Sequence, residues 1–258
     1  MYDSLSVDYD RFVNWPKRLA FEMPFIEAQL KSAAGEIRPI RVLDAACGTG
    51  MHVIELVQRD YEAVGADLSE GMIDQAIANA GVAGIQVIFK TIGFGELALA
   101  FKDFDAVLCL GNSLLHLLST SDLSKALVDF AACIRPGGLL LIQNRNFDAV
   151  LARRERWMEP QSHRERDREW IFLRFYDFDP NELLTFHVIT LYREGSGAWH
   201  QKADSSRLNP LRRDELMDAL KQSGFGEISC FGSLSAEPFD SKRSNNLVIV
   251  ARYPHLTI

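Results

Sequence analysis

The sequence predicts an α/β fold: a mostly parallel sheet flanked by helices, completed by a final antiparallel strand and carrying a small antiparallel β insertion. Three observations carry this. From residue 41 to 143 short β-rich runs alternate with helical stretches, and such alternation calls for parallel strands joined by right-handed crossovers. A glycine-bearing turn at residues 48–50 follows the first run, at the carboxyl edge where open α/β sheets bind ligands. Beyond residue 150 the alternation gives way to β-like runs joined by short turns, which antiparallel pairing permits and parallel pairing does not.

Residues 15–34 set Leu19, Phe25, Ile26 and Leu30 at helical spacing, and Gly35 supplies a stop. Strand 41–44 then enters the glycine turn. Helix 52–59, strand 63–67, helix 70–80, strand 85–90, strand 105–110, helix 122–134 and strand 139–143 follow in order. Pro136-Gly-Gly138 punctuates the passage into the buried run Leu139-Leu-Leu-Ile142. In residues 153–169 Arg153, Arg154, Arg156, Arg164, Arg166 and Arg168 are offset by Glu155, Glu159, Glu165, Asp167 and Glu169. Mixed-sign runs give little net field, so this stretch reads as a solvated helix or linker rather than a nucleic-acid patch. Runs 170–178, 183–193 and 199–206, separated by Asp179-Pro-Asn181 and Gly195-Ser-Gly197, form an antiparallel meander. Helix 211–223 and strands 227–231 and 246–252 return the chain to the sheet.

Composition narrows the class of partner. The 258 residues are 47% hydrophobic and 24% charged, a globular balance, and the formal net charge of −7 opposes broad capture of nucleic acid. Cys47, Cys109, Cys133 and Cys230 lie far apart without a C-x-x-C pair, so neither a metal framework nor a disulfide scaffold is expected. Acids stand near the N-terminus where a secretory signal would be basic, and no apolar run approaches the ~18 residues of a spanning helix. A cytoplasmic protein with a small-molecule substrate, without membrane or nucleic-acid partners, is the expectation. A homo-oligomer is compatible with it.

The residues that carry chemistry begin at Val42-Leu-Asp-Ala-Ala-Cys-Gly-Thr-Gly50. Asp44 ends the strand, and Gly48 and Gly50 let the backbone approach a ligand closely. Asp67 ends the next strand, where a carboxylate can accept from both hydroxyls of a ribose. The dinucleotide fingerprint would need glycines at 46, 48 and 51, but the chain has Ala46, Gly48 and Met51, which disfavours a pyrophosphate. Asp44 suits instead a ligand with a cationic amino-acid end, such as S-adenosylmethionine. A turn tightened only for packing is the alternative.

Here the sequence resembles the class I S-adenosylmethionine-dependent methyltransferases, and within them the glycine N-methyltransferase and glycine/sarcosine methyltransferase group. The resemblance rests on residues 42–50, on Gly65-Ala-Asp-Leu-Ser-Glu-Gly-Met72, on Leu110-Gly-Asn-Ser113 with His116, and on Asn144-Arg-Asn-Phe-Asp148. It implies a Rossmann-like cofactor core with a helical arm (1–149), an insertion over the substrate site (150–206) and a C-terminal completion of the sheet (207–258). It further implies that Asp67 holds the ribose, Leu68 and Met72 flank the adenine, and the backbone at Ala45, Gly48 and Leu110 meets the methionine portion and sugar. Arg18 falls at the position that grips the methionine carboxylate. Tyr9 and Trp15 fall where aromatics close over the cofactor, although Trp15 reads equally as a packing residue. Relatives place an acid after the third strand, where this chain offers Gly93, so adenine is expected to rest on backbone around Phe94 and on apolar packing.

For the acceptor, the resemblance implies that Arg145 pairs a substrate carboxylate through two parallel hydrogen bonds, against a surface ion pair as the alternative. Asn112 orients the substrate or the methionine end, or simply caps the loop. His116 is either a general base or a histidine satisfied within the pocket wall. N-methylation of a small amine or amino-acid-like substrate is the expected reaction. The competing readings are O- or C-methylation of a natural-product intermediate and a non-catalytic nucleotide-binding protein of the same fold.

Overall fold

The computed structural model describes residues 2–34 and 39–255; the helix stop read at Gly35 lies outside them. The helical arm is α1 (Tyr2–Phe12) and α2 (Trp15–Ala34). The core follows as β1 (Arg41–Asp44), α3 (Met51–Gln58), β2 (Glu62–Asp67), α4 (Glu70–Ala83), β3 (Phe89–Thr91), β4 (Phe104–Cys109), α5 (Thr120–Cys133) and β5 (Ile134–Arg145). After α6 (Phe147–Arg153) come β6 (Gln161–Glu165), β7 (Arg168–Phe178), β8 (Leu184–Glu194) and β9 (His200–Leu208), and the chain closes with α7 (Arg213–Gln222), β10 (Gly226–Phe231) and β11 (Asn246–Arg252).

The larger sheet has the order β10-β11-β5-β4-β1-β2-β3, and within it β11 pairs antiparallel with both neighbours while the others run parallel. All six residues of β4 are buried, because a central parallel strand is covered on both faces. One cover is α2, whose Leu19, Met23, Ile26 and Leu30 are buried at helical spacing. Each such side chain contributes roughly 1.5–3 kcal/mol relative to exposure. The opposite face packs on Leu123, Leu127 and Phe130 of α5, and on Tyr176, Leu184 and Leu208 of the second sheet.

That second sheet is antiparallel in the order β6-β7-β8-β9. It therefore has one strand more than the three runs read from sequence. Within the charged stretch 153–169, residues 161–165 are the edge strand β6 and not a helix or linker. Its polar residues Gln161, Ser162, His163, Arg164 and Glu165 line a mostly exposed edge, and charged and polar edge residues discourage further strand pairing. Helix α1 is the other addition, since its apolar residues are too sparse to announce it. Strand β5 starts at Ile134 and runs through the Pro-Gly-Gly punctuation, and β3 shrinks to three residues. Among the described residues no helix is long and apolar enough to cross a membrane.

Candidate active site

A cavity of about 460 Å³ opens at the carboxyl ends of β1, β2 and β4. Its floor is the turn after β1. The Ala45 N–H donates to the Leu108 carbonyl (2.8 Å) and the Cys47 N–H to that of Ala66 (2.9 Å), so the turn is stitched to both neighbouring strands. Gly48, at φ +53°, then turns its backbone to the cavity, and nothing lies within 4 Å of where a Cβ would project. Gly50 does not line the cavity. It takes φ +80° as the residue before α3, and a Cβ there would meet Ala76 and Phe89 at 2.8 Å. The expectation of ligand contact at Gly50 is thus replaced by a packing role.

Asp67 organises this turn. Its Oδ2 accepts from the Gly48 N–H (2.9 Å) and its Oδ1 from the Ser69 N–H (2.9 Å), while the Ser69 hydroxyl caps α4 by accepting from the Met72 N–H (3.2 Å). Asp44 is buried, with one oxygen accepting from the Ala46 N–H at 3.3 Å, and burial pushes its pKa up to about 6. A buried acid so reluctant to ionise fits a ligand bringing positive charge to it.

Leu68 and Met72, then Ile92 and Phe94, continue the wall toward one end. Gly93 stands at the position where relatives place an acid after the third strand, and Glu96, three residues beyond it, lines this end. Tyr9, Trp15 and Arg18 of the helical arm close the cavity, and Leu110 and His116 complete it from the loop after β4. Arg18 directs its Nε at both Glu22 oxygens (3.1 Å), and Glu22 is bound in turn by His52 Nε2 (2.7 Å). The arm is latched by Asp10, which sequence reasoning missed. Asp10 accepts from Trp15 Nε1 (2.7 Å), Thr49 Oγ1 (2.6 Å) and Asn79 Nδ2 (2.9 Å), tying α1 to the turn and to α4.

A second cavity of about 470 Å³ adjoins the first, and Tyr9, Arg18, Gly111 and His116 line both. The remainder is walled by α1 and α2 on one side and β7 and β8 on the other. Asn112, at φ +74°, lines it, and its Oδ1 accepts from the Arg145 backbone N–H at 2.5 Å. Arg145 lines neither cavity. Its guanidinium pairs with Glu155 (2.6 Å) and stands 5.7 Å from the Tyr176 ring centroid, so the substrate-pairing expectation meets an arginine already matched to an acid. His116 meets Ser206 Oγ through Nδ1 at 3.3 Å, and burial holds its pKa down to about 4. Among the described residues no cluster of ligating side chains could hold a metal ion.

Comparison with known proteins agrees with this geometry. Residues 42–138 match a family model described as a methyltransferase domain. The glycine/sarcosine/dimethylglycine N-methyltransferase of Actinopolyspora halophila is 36% identical over 146 residues, covering 55% of this chain and 25% of that protein. The glycine/sarcosine N-methyltransferase of Aphanothece halophytica is 34% identical over 146 residues, covering 55% of this chain and 53% of that one. The match thus spans about half the length of these relatives or less. A crystal structure of an S-adenosylmethionine-dependent methyltransferase from Clostridium acetobutylicum superposes with a TM-score of 0.75 at 16% identity, over 98% of this chain and 99% of that one. The fold is the Rossmann-like fold of class I methyltransferases. Residues 42–138 thus resemble a methyltransferase domain, and the relatives matched over 55% of this chain are named as N-methyltransferases.

Proposed function

We propose that this chain methylates the nitrogen of a small amine or amino-acid-like substrate, with S-adenosylmethionine in the first cavity and the acceptor in the second. The observation that carries this reading is the junction of the two cavities, where the imidazole present, His116, has its pKa depressed to about 4. A histidine that is neutral and so weakly basic is a poor acceptor for the proton of a hydroxyl or carbon acid near pH 7. An amine asks for none of this, because it loses its proton to water before it reacts. The N-methyltransferase names of the relatives support the same choice.

When bound, the cofactor supplies a methyl group on a sulfonium centre. Asp67, at the end of β2 within the first cavity, receives the ribose hydroxyls, and Asp44 faces the cationic amino-acid end. Arg18, held by Glu22 through Nε, offers its other nitrogens to the methionine carboxylate. Leu68, Met72 and Phe94 pack the adenine, and Glu96 lies within the same wall to meet its amino group. Tyr9 and Trp15 exclude water. What these residues contribute is alignment, which in well-oriented reactions is worth on the order of 7–11 kcal/mol.

The test is formation of S-adenosylhomocysteine from amine acceptors by the wild type and by His116→Gln. A turnover number changed by less than about threefold is expected. A loss of about a hundredfold or more, the usual scale for a general base, would favour an O- or C-methylation mechanism instead.

A further inference from the structure

In β7 the inward positions are Trp170, Phe172, Arg174 and Tyr176, and the three aromatics are buried. Alternation along a strand puts Arg174 on the same apolar face, opposite the buried Val188 of β8. Its Nε is sealed from solvent and meets no hydrogen-bond partner. No acid pairs with it among the described residues. Its guanidinium lies 5.5 Å from the Phe12 ring centroid, and burial together with the Arg145 charge lowers its pKa from the ordinary value. Neighbouring carboxylates are committed elsewhere: Glu155 to Arg145 (2.6 Å), Glu22 to Arg18 (3.1 Å), and Asp204, two strands away in the same register row, to Lys202 (3.6 Å).

A partly buried charge without a partner is destabilising, and folds retain such a group where something else supplies the counter-charge. Arg174 lines the second cavity. That cavity is too large to be shaped around glycine. About 470 Å³ falls in the range of pockets that hold drug-sized ligands, roughly 300–1,000 Å³, and Phe12, Phe21, Tyr176 and Phe186 are among its walls.

We infer that Arg174 is the anion anchor of the acceptor site, and that the acceptor is an amine with an apolar body and an anionic group, carboxylate or phosphate, paired by this guanidinium. The inference rests on the assignment of the second cavity to the acceptor. Guanidinium geometry favours two parallel hydrogen bonds to either anion, while the aromatic walls take the body and leave the amine directed to the junction with the first cavity.

The experiment titrates the full chain, loaded with S-adenosylhomocysteine, with phenylacetate, phenyl phosphate and neutral benzyl alcohol. At least one anion should bind about tenfold or more tighter than the alcohol, as hydrogen bonds to charged groups contribute roughly 1.5–3 kcal/mol, and the tighter of the two names the anion. Arg174→Met should abolish that preference, and Arg174→Lys should weaken it by keeping the charge without the fork. The thermal midpoint of Arg174→Met should be equal to or above that of wild type, because removal relieves an unpaired, partly buried charge, whereas a purely structural arginine would lower it. Equal binding of anions and alcohol, or an anion preference surviving in Arg174→Met, overturns the inference. S-adenosylhomocysteine binding, measured separately, tells this failure apart from failure of the methyltransferase reading: its absence sinks that reading, and its presence without anion selectivity sinks only the anchor.

Discussion

The two cavities are built by opposite means. The first has as its floor a backbone turn at the ends of parallel strands, with its acids bonded to amides two to nineteen residues away. The second is made of side chains brought from α1, α2, β7 and β8, and it holds a guanidinium without a counter-charge. A site of the first kind is finished before its ligand arrives, and little in it can change without disturbing the sheet. A site of the second kind varies one side chain at a time, so the same core can serve different acceptors.

The largest expected effect sharpens this contrast with two glycines. Gly50→Ala combines left-handed backbone with a Cβ at 2.8 Å from Ala76 and Phe89, and should destabilise the protein by about 2–5 kcal/mol in denaturant unfolding. Gly195→Ala, in the turn between β8 and β9, has a similar φ of +56° but open space around it. It should cost only about 1–2 kcal/mol. Equal losses would mean that the cofactor turn is no more tightly built than the insertion.

What was legible in the sequence follows the same division. The turn at 42–50 and Asp67 could be read because a strand end, a glycine turn and an acid beyond the next strand act over short separations. Arg145 could be placed at a strand end but not paired, since Glu155 reaches it only after α6 turns the chain back. Arg174 carried a signal that was overlooked: it breaks an alternating aromatic run at a position facing the core. Asp10 carried none. Its three partners lie 5, 39 and 69 residues away, and only the folded chain assembles them.

Asp10 supplies the next prediction, because it joins the arm to the cofactor turn. Asp10→Ala removes three accepted hydrogen bonds and should weaken S-adenosylmethionine binding about tenfold. Amide exchange should rise across α1 and stay unchanged in β7 and β8. Protection of α1 equal to wild type would leave Asp10 as a local bond without a latching role.

A smaller effect is expected from Asp44, whose pKa is raised from 3.8 to about 6 by burial. In the cofactor-free protein a raised acid contributes stability below its unfolded pKa, near pH 4, and that contribution is lost as pH rises through about 6. A cationic ligand prefers the carboxylate, so the sign reverses for binding. Affinity for S-adenosylmethionine should fall by at most about tenfold per pH unit below pH 6, and Asp44→Asn should bind more weakly but without that slope between pH 5 and 6.5. A wild-type affinity flat across this range would separate Asp44 from the cofactor.

The division between the two cavities is tested most directly by calorimetric titration of S-adenosylmethionine into wild type, Asp67→Ala and Arg174→Met. Wild type should bind one cofactor, Asp67→Ala should bind about tenfold or more weakly, and Arg174→Met should stay within about twofold of wild type. No binding by the wild type, or an Asp67→Ala affinity equal to it, would contradict the placement of the methyl donor in the first cavity.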